Sequence, residues 1–269
     1  MEVTKQLAGF VHDMKFDDIP AEVMEKGKIC ILDCIGCALG GVPEDTSKVI
    51  LDYVKEYGGK PQASIIGSEF KTDVTNAALA NGIIAHALDY DDYHEETVIH
   101  ATATCLPAIL SVAEDRKLSG AEVLKAVISG IEVCIRLGLG LGRYHYELGW
   151  HSTSTTGRFS ATAGVASLLH LDVDKIINAF GICGTQAAGV RQVFGTMTKP
   201  FHAGKCAMDG VLSALLAEKG FTSSKEIIEG ELGLFSVLTE TPNEEIVLQD
   251  LGSKYHLLDM CFKPYATCA

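Results

Sequence analysis

The sequence is short of basic residues. Its 22 lysines and arginines stand against 35 aspartates and glutamates, which gives a formal net charge of −13. No run of lysines or arginines occurs, and general nucleic-acid binders need such clusters to neutralise phosphates. We therefore expect no nucleic-acid partner, and an anionic ligand would need a local basic pocket.

Long apolar runs are also lacking. The most apolar stretch, ICILDCIGCALGG, is short and contains Asp33, and the N-terminal MEVTKQLAGFVHDMKF has no apolar segment typical of a signal peptide. Low-complexity tracts are absent too, while the apolar (47%) and charged (21%) fractions are close to those of globular domains. These features predict a soluble, cytoplasmic protein without a membrane partner.

The nine cysteines do not have the spacing of a disulfide framework. Their odd number and apolar surroundings indicate reduced thiols. Cys30, Cys34 and Cys37 fall at helical spacing and could align for a soft metal ion. Burial in an apolar core is the favoured interpretation, because free cysteine is among the most buried residue types.

Helical periodicity dominates the chain. Pro20 opens an apolar run that ends in two glycines, and Ser119 with Glu122 has capping-box spacing, which recurs at Thr241 and Glu244. The glycines of residues 138–143 are interpreted as a helix end rather than a dinucleotide loop, because no strand precedes them. The sequence predicts an all-α domain, a large multi-helix bundle with one short strand at 63–67 and further helices at about 3–14, 45–57, 73–87, 103–115, 154–170, 173–183, 203–219 and 223–229.

The segment HALDYDDYHEETVIH, residues 86–100, concentrates three aspartates, two glutamates and three histidines. Three interpretations stay open from its spacing. A divalent metal could bind His86, Asp89, Asp91 and His94, the segment could carry metal-free acid/base chemistry, or it could be a solvated acidic loop.

Two further segments carry candidate anion-binding groups. GWHSTSTTG places His151 and five hydroxyl groups at the start of a predicted helix, where capping and anion binding are equally plausible roles. TKPFHAGK places Lys199, His202 and Lys205 within seven residues, also before a predicted helix. This local cluster of basic groups is the best candidate in the sequence for holding a negatively charged ligand.

Four segments together resemble the MmgE/PrpD family, which includes 2-methylcitrate dehydratase, cis-aconitate decarboxylase and iminodisuccinate epimerase. They are ANGIIAHALDYDDYHEETVIHATATCLPAILSVAE, GWHSTSTTGRFSATAGVASLLHLD, TKPFHAGKCAMDGVLSALLAEKGFT and CFKPYATC, in the family's order and spacing. The resemblance implies a large helical domain, residues 1–257, followed by the start of a smaller α/β lid domain, residues 258–269. It also implies a homodimer, an active site between the two domains and no organic cofactor.

The resemblance also implies roles for particular residues. It places five catalytic residues around a polycarboxylate substrate: Asp89, His100, His151, Lys199 and Lys263. It suggests three further substrate-binding residues: Tyr93, His94 and His202. Tyr93 stands where many members have threonine, and the segment up to His100 lacks the tryptophan-rich insertion of 2-methylcitrate dehydratases, so the substrate stays open.

We therefore expect a cofactor-independent lyase or epimerase that acts on a small di- or tricarboxylate, with His151 or Asp89 as base and no bound metal. A desolvated aspartate can have its pKa raised toward neutrality, which would suit Asp89 for this role. Two alternatives are a metal-dependent helical hydrolase using the cluster at 86–94, and a non-catalytic scaffold. The scaffold alternative has a variant in which the chain is one half of a two-chain enzyme. In that variant it ends where the lid domain should begin, and a separate chain supplies that domain.

Overall fold

The computed structural model describes residues 2–267 and is mostly helical, so the all-α prediction is confirmed. Eleven helices lie in the described part of the chain: α1 Val3–Asp13, α2 Ala21–Gly41, α3 Asp45–Tyr57, α4 Val74–Ala85, α5 Ala101–Arg116, α6 Gly120–Glu147, α7 Ser152–Leu168, α8 Val173–Gly184, α9 Thr198–Glu218, α10 Leu234–Leu238 and α11 Glu244–Leu248. None of them has the length and apolar character needed to cross a membrane.

Strands are short and paired in twos. The predicted strand at 63–67 is reduced to β1 (Ala63–Ser64), which pairs with β2 (Lys71–Thr72). A second antiparallel pair joins β3 (Tyr93–His94) to β4 (Met260–Cys261). This second pair brings the C-terminal segment back against the acidic segment at 86–100.

Helix α7 lies at the centre of the domain, and all of its residues are buried. It packs against α5, α6, α8 and α9. Several of its hydroxyl groups tolerate burial because they bond to backbone carbonyls: Thr156 and Thr162 donate to the carbonyl oxygens four residues earlier, and Ser160 donates to Gly130 O on α6. Small side chains there let the surrounding helices approach closely.

Helices α4 and α9 also pack closely, and glycines make the contact possible. A Cβ atom added to Gly82 would lie 2.6 Å from Gly204 Cα, and one added to Gly204 would lie 2.3 Å from Leu79 O. Both distances are far below van der Waals contact, so this crossing requires glycine on both helices. The crossing sets the end of α4 beside the start of α9.

Several sequence-based predictions are wrong in detail. Residues 223–229 form no helix, helix α9 begins five residues before the predicted position 203, and helix α11 is capped by Asn243 rather than Thr241. Other predictions agree with the structure. The glycines at 138–143 end a helical segment at Gly142, whose φ and ψ angles (69° and 173°) are not helical, and a second short segment of α6 continues to Glu147. The capping box of Ser119 and Glu122 also forms as predicted.

The C-terminal segment packs on the helical domain. Leu257 and Met260 are buried in the main hydrophobic core. Two buried residues of α6 hold this segment: Glu132 accepts a hydrogen bond from Leu257 N at 3.1 Å, and Arg136 donates to the carbonyl oxygens of Val247, Gln249 and Lys254. The domain boundary between residues 257 and 258 stays a prediction, and residues 268–269 lie outside the described part.

Candidate active site

Three helix N-termini meet at one place in the structure. His100 precedes α5, His151 precedes α7, and Lys199 lies in the first turn of α9. The first two are tied together, since His100 N donates to Thr153 Oγ1 at 3.1 Å. Helix N-termini present unpaired N–H groups and a positive dipole end, so their meeting favours an anionic ligand despite the acidic net charge.

Asp89 lies between two lysines at this place. Lys199 Nζ bonds to its Oδ2, and Lys263 Nζ lies 3.1 Å from its Oδ1. His100 Nε2 is 3.6 Å from the same Oδ1. The structure therefore brings together four of the five predicted catalytic residues, although 174 positions separate Asp89 from Lys263.

The backbone of Asp89 is also held by the C-terminal segment. Its φ angle is 50°, in the left-handed region that residues other than glycine rarely adopt. Lys263 Nζ donates to Asp89 O at 2.8 Å and to Thr267 O at 2.7 Å, and Thr267 N donates to Asp89 O at 3.3 Å. These contacts offset the strained conformation and fix the direction of the carboxylate.

The pKa of Asp89 is lowered, which overturns the expectation of a raised value. Burial acts to raise this pKa, but the neighbouring His86, His100 and Lys199 outweigh burial. The carboxylate is thus ionised at neutral pH. It is a weak proton acceptor and a strong partner for the two ammonium groups.

The imidazoles, unlike Asp89, favour the neutral form. Burial is the main cause that lowers the pKa of both His100 and His151, and for His151 the neighbouring His86 and His202 lower it further. Both rings are therefore neutral near pH 7 and able to accept a proton. His151 Nδ1 lies 2.9 Å from His202 Nδ1, and its ring meets Phe194 edge-on at 4.9 Å between centroids.

Two aspartates next to Asp89 are fully buried, contrary to the solvated-loop interpretation. Asp91 Oδ1 lies 2.7 Å from His86 Nδ1, and Asp91 Oδ2 lies 3.3 Å from His100 Nδ1. Asp92 Oδ2 accepts a hydrogen bond from Thr102, and burial raises the pKa of Asp92 to about 8. Only Glu95 and Glu96 have the exposed positions expected of a surface loop.

The remaining predicted residues divide into two groups. Tyr93 borders the site, with Lys263 Nζ 5.7 Å from its ring centroid, and His202 contacts His151. His94 is buried but contacts Thr97 Oγ1 at 3.0 Å, and its charged neighbours are Asp259, Glu95 and Glu96 rather than Asp89. A role for His94 in substrate binding stays a prediction.

The basic cluster expected at 199–205 is divided. Lys199 faces Asp89, whereas Lys205 bonds to the buried Asp209, which also accepts a hydrogen bond from Arg158 Nε at 2.9 Å. Lys205 therefore neutralises the buried Asp209 carboxylate, and its ammonium group does not join Lys199 in one basic cluster. The physical reason is that α9 includes this segment, so residues 199 and 205 project in different directions.

The structure changes the set of residues that could bind a metal ion. One ligand atom each of His86, Asp89, Asp91 and His100 lie within 4.8 Å of one another, so His100 replaces the expected His94. These nitrogen and oxygen donors suit a divalent ion. Lys199 and Lys263, however, both bond to Asp89, and their ammonium charges would repel a cation bound there.

The sequence itself matches the N-terminal domain of MmgE/PrpD proteins over residues 5–246. The chain belongs to the MmgE/PrpD family. Among its relatives, a cis-aconitate decarboxylase of Aspergillus terreus is 31% identical over 280 residues, covering 99% of this chain and 57% of that protein. The human cis-aconitate decarboxylase is 28% identical over 265 residues, covering 96% of this chain and 54% of that protein.

A third relative of the MmgE/PrpD chain is a mitochondrial 2-methylcitrate dehydratase of Yarrowia lipolytica. It is 26% identical over 255 residues, covering 88% of this chain and 48% of that protein. These relatives are lyases by name, and the chain spans about half the length of the curated relatives it matches.

Within this MmgE/PrpD domain, the sequence did not identify Asp91 as a buried partner of His86, nor Phe194 as a neighbour of His151. The four consecutive acidic or aromatic positions after Asp89 gave no signal of which would be buried.

Proposed function

We propose that this domain supplies the acid/base and anion-binding wall of a lyase that acts on a small di- or tricarboxylate. Decarboxylation of a cis-aconitate-like acid is the leading reaction, and dehydration of a 2-methylcitrate-like acid is the second. The observation that carries the proposal is the ionised Asp89 between Lys199 and Lys263, beside neutral imidazoles and three helix N-termini.

The two lysines provide the binding half of the proposal. Asp89 holds both ammonium groups in place, and both lysine side chains are almost completely buried. A substrate carboxylate placed beside them would gain charge-assisted hydrogen bonds in a site of low dielectric constant. Positions fixed in advance cost little reorganisation when negative charge develops on the substrate.

The imidazoles provide the proton-transfer half. When a carboxylate leaves as CO2, the electron pair of the broken C–C bond stays on carbon, which must then receive a proton. Dehydration requires the reverse transfer at carbon, with the hydroxyl leaving as water. His100 and His151 suit these steps, because a neutral imidazole can accept a proton and an imidazolium can return it.

Substrate and partner assignments belong to the same proposal. Tyr93 and His202 are proposed to contact the substrate, since they border the Lys263 and His151 side chains. A homodimer and a lid domain, either in the same polypeptide or in a separate chain, complete the proposed enzyme. Light scattering of the purified protein and co-purification from its own cells test these two partners.

The test of this function is conversion of a panel of acids. The protein, together with any lid domain found to associate with it, is incubated with citrate-like, aconitate-like and aspartate-derived acids, and the products are followed by NMR. We expect conversion of at least one di- or tricarboxylate and no effect of a strong chelator. Conversion abolished by the chelator and restored by a divalent metal would favour the metal-dependent alternative.

A further inference from the structure

His86 has a buried nitrogen atom without a partner. The residue follows α4, and only 1% of it is exposed. Its Nδ1 lies 2.7 Å from Asp91 Oδ1, whereas its Nε2 has no hydrogen-bond partner among residues 2–267. Unpaired buried polar atoms are costly and uncommon in folded proteins, so this nitrogen points to a ligand or a function.

The contact with Asp91 determines where the proton of His86 lies. Asp91 is fully buried, and although burial acts to raise its pKa, the neighbouring His86 and His100, with their hydrogen bonds, hold that pKa well below its usual range. An ionised carboxylate only accepts hydrogen bonds, so His86 Nδ1 must donate. In the neutral ring, Nε2 then carries a lone pair.

The ring that carries the unpaired nitrogen belongs to the candidate site. The His86 ring meets the His100 ring edge-on at 4.6 Å between centroids. His86 also contributes one ligand atom to the group with Asp89, Asp91 and His100, all within 4.8 Å of one another. After burial, His86 is the neighbour that contributes most to lowering the pKa of His151.

The other imidazoles of the site have partners already. His100 Nδ1 donates to the carbonyl oxygen of Asp92 at 3.0 Å, and its Nε2 faces Asp89 Oδ1 at 3.6 Å. His151 Nδ1 is paired with His202 Nδ1. His86 Nε2 therefore differs from these atoms in being buried within the site and unpaired.

We propose that His86 and Asp91 form a proton-carrying dyad of this active site. His86 Nε2 takes a proton from water and delivers it to the substrate carbon from which CO2 has left, and Asp91 stabilises the imidazolium in between. The hydroxide that this leaves in the solvent is balanced by the released CO2, with which it forms bicarbonate. The Nε2–H bond breaks, a C–H bond forms, and the electron pair of the broken C–C bond is used in it. The proposal deepens the lyase function and rests on that function for its substrate.

Two substitutions of His86 separate this role from a structural one. Asparagine places its amide near the position of Nδ1 and keeps a donor toward Asp91, whereas glutamine reaches the position of Nε2 and loses that donor. A purely structural His86 predicts normal turnover in H86N and impaired turnover in H86Q. The dyad predicts that both variants lose about 10²-fold in kcat, the usual size of a general acid/base contribution, while H86N keeps the wild-type KM and thermal midpoint.

A second measurement does not depend on activity. Long-range proton–nitrogen NMR at about pH 8, above the ordinary pKa of histidine, reports which ring nitrogen of His86 is protonated. We expect Nδ1–H in the wild type. In D91N we expect Nε2–H. The Asp92 carbonyl keeps the proton of His100 on Nδ1, so the asparagine oxygen should face His100 and its NH2 group should face His86. His86 Nδ1 must then accept a hydrogen bond, which moves its proton to Nε2. D92N is the matched control, and its His86 signals should not change.

The outcomes are distinct. An Nε2–H signal from His86 in the wild type, or normal turnover in H86N, would overturn the dyad. If D91N does not fold, the wild-type spectrum and the two His86 variants still decide. If no acid is converted by the wild type, the lyase function fails, while the NMR measurement reports separately whether Asp91 sets the tautomer of His86.

Discussion

Lys263 Nζ contacts Asp89 twice, at the backbone oxygen (2.8 Å) and at carboxylate Oδ1 (3.1 Å). One lysine from the end of the chain thus fixes both the backbone and the side chain of the central acid. Because Asp89 has a strained φ angle of 50°, this contact bears on stability as well as on charge.

Replacing Lys263 with methionine should reduce both stability and turnover. The change leaves the Asp89 oxygen atoms short of a buried donor, and we expect a loss of about 1–3 kcal/mol in the free energy of unfolding. Turnover should fall about 10²-fold, since one cationic group is removed from the developing negative charge. Urea denaturation and product NMR measure the two effects. K28M is the control, because Lys28 is exposed and pairs only with Glu25 in the described contacts.

The buried pair of Arg136 and Glu132 should be essential for folding stability. Both side chains are completely buried and 2.7 Å apart. R136M leaves the Glu132 carboxylate unpaired in the core, which should cost about 3–5 kcal/mol. The matched control is R143M on the same helix, where the exposed i,i+4 pair with Glu147 is worth about 0.5 kcal/mol or less. Equal urea midpoints for the two variants would contradict this assignment.

Gly82 should not tolerate alanine. The added Cβ would lie 2.6 Å from Gly204 Cα, so α4 and α9 must separate, at a cost of about 1–3 kcal/mol. The separation also moves Asp89 from Lys199, and turnover should fall. G36A is the control, since nothing lies within 4 Å of its new Cβ and alanine favours an exposed helix position by about 0.5–1 kcal/mol. Calorimetry should show a lower thermal midpoint for G82A than for the wild type, and no decrease for G36A.

Asp92 should make the wild type less stable as pH rises. Burial raises the pKa of this carboxyl from 3.8 to about 8, so between these values the folded state holds a proton that the unfolded state has released. Relative to D92N, which mimics the neutral acid, the wild type should lose about 1.4 kcal/mol of unfolding free energy per pH unit in that window. Urea unfolding of both proteins at pH 5, 6 and 7 tests the slope, and a constant difference would contradict a protonated Asp92.

The fold was largely predictable from sequence because most helices carry local start, stop and periodicity signals. The segment at 223–229 was not, because its hydrogen bonds are made elsewhere: Leu234 N and Phe235 N bond to the carbonyl oxygens of Ile227 and Ile228, and Ile228 N donates to Thr4 Oγ1. No local sequence pattern predicts such tertiary contacts.

The site was predictable only in part. The resemblance to the family named Asp89, His100, Lys199 and Lys263, which the structure brings together. The burial of Asp91 and the sign of the pKa shift of Asp89 depend on how the fold packs other side chains around them, among them His86, His100 and Lys199 for Asp89, so spacing alone could not give them. This difference explains why the metal, acid/base and loop interpretations of residues 86–100 could not be separated beforehand.

Solvent deuterium incorporation tests the central claim most directly. The wild type, K199A and H151A are incubated with cis-aconitate-like and citrate-like acids in D2O, and deuterium at carbon is followed by NMR. We predict incorporation by the wild type with at least one di- or tricarboxylate, and a decrease of about 10²-fold or more in each variant. Absence of incorporation with every acid, or near-normal rates in both variants, would contradict the acid/base role of this site.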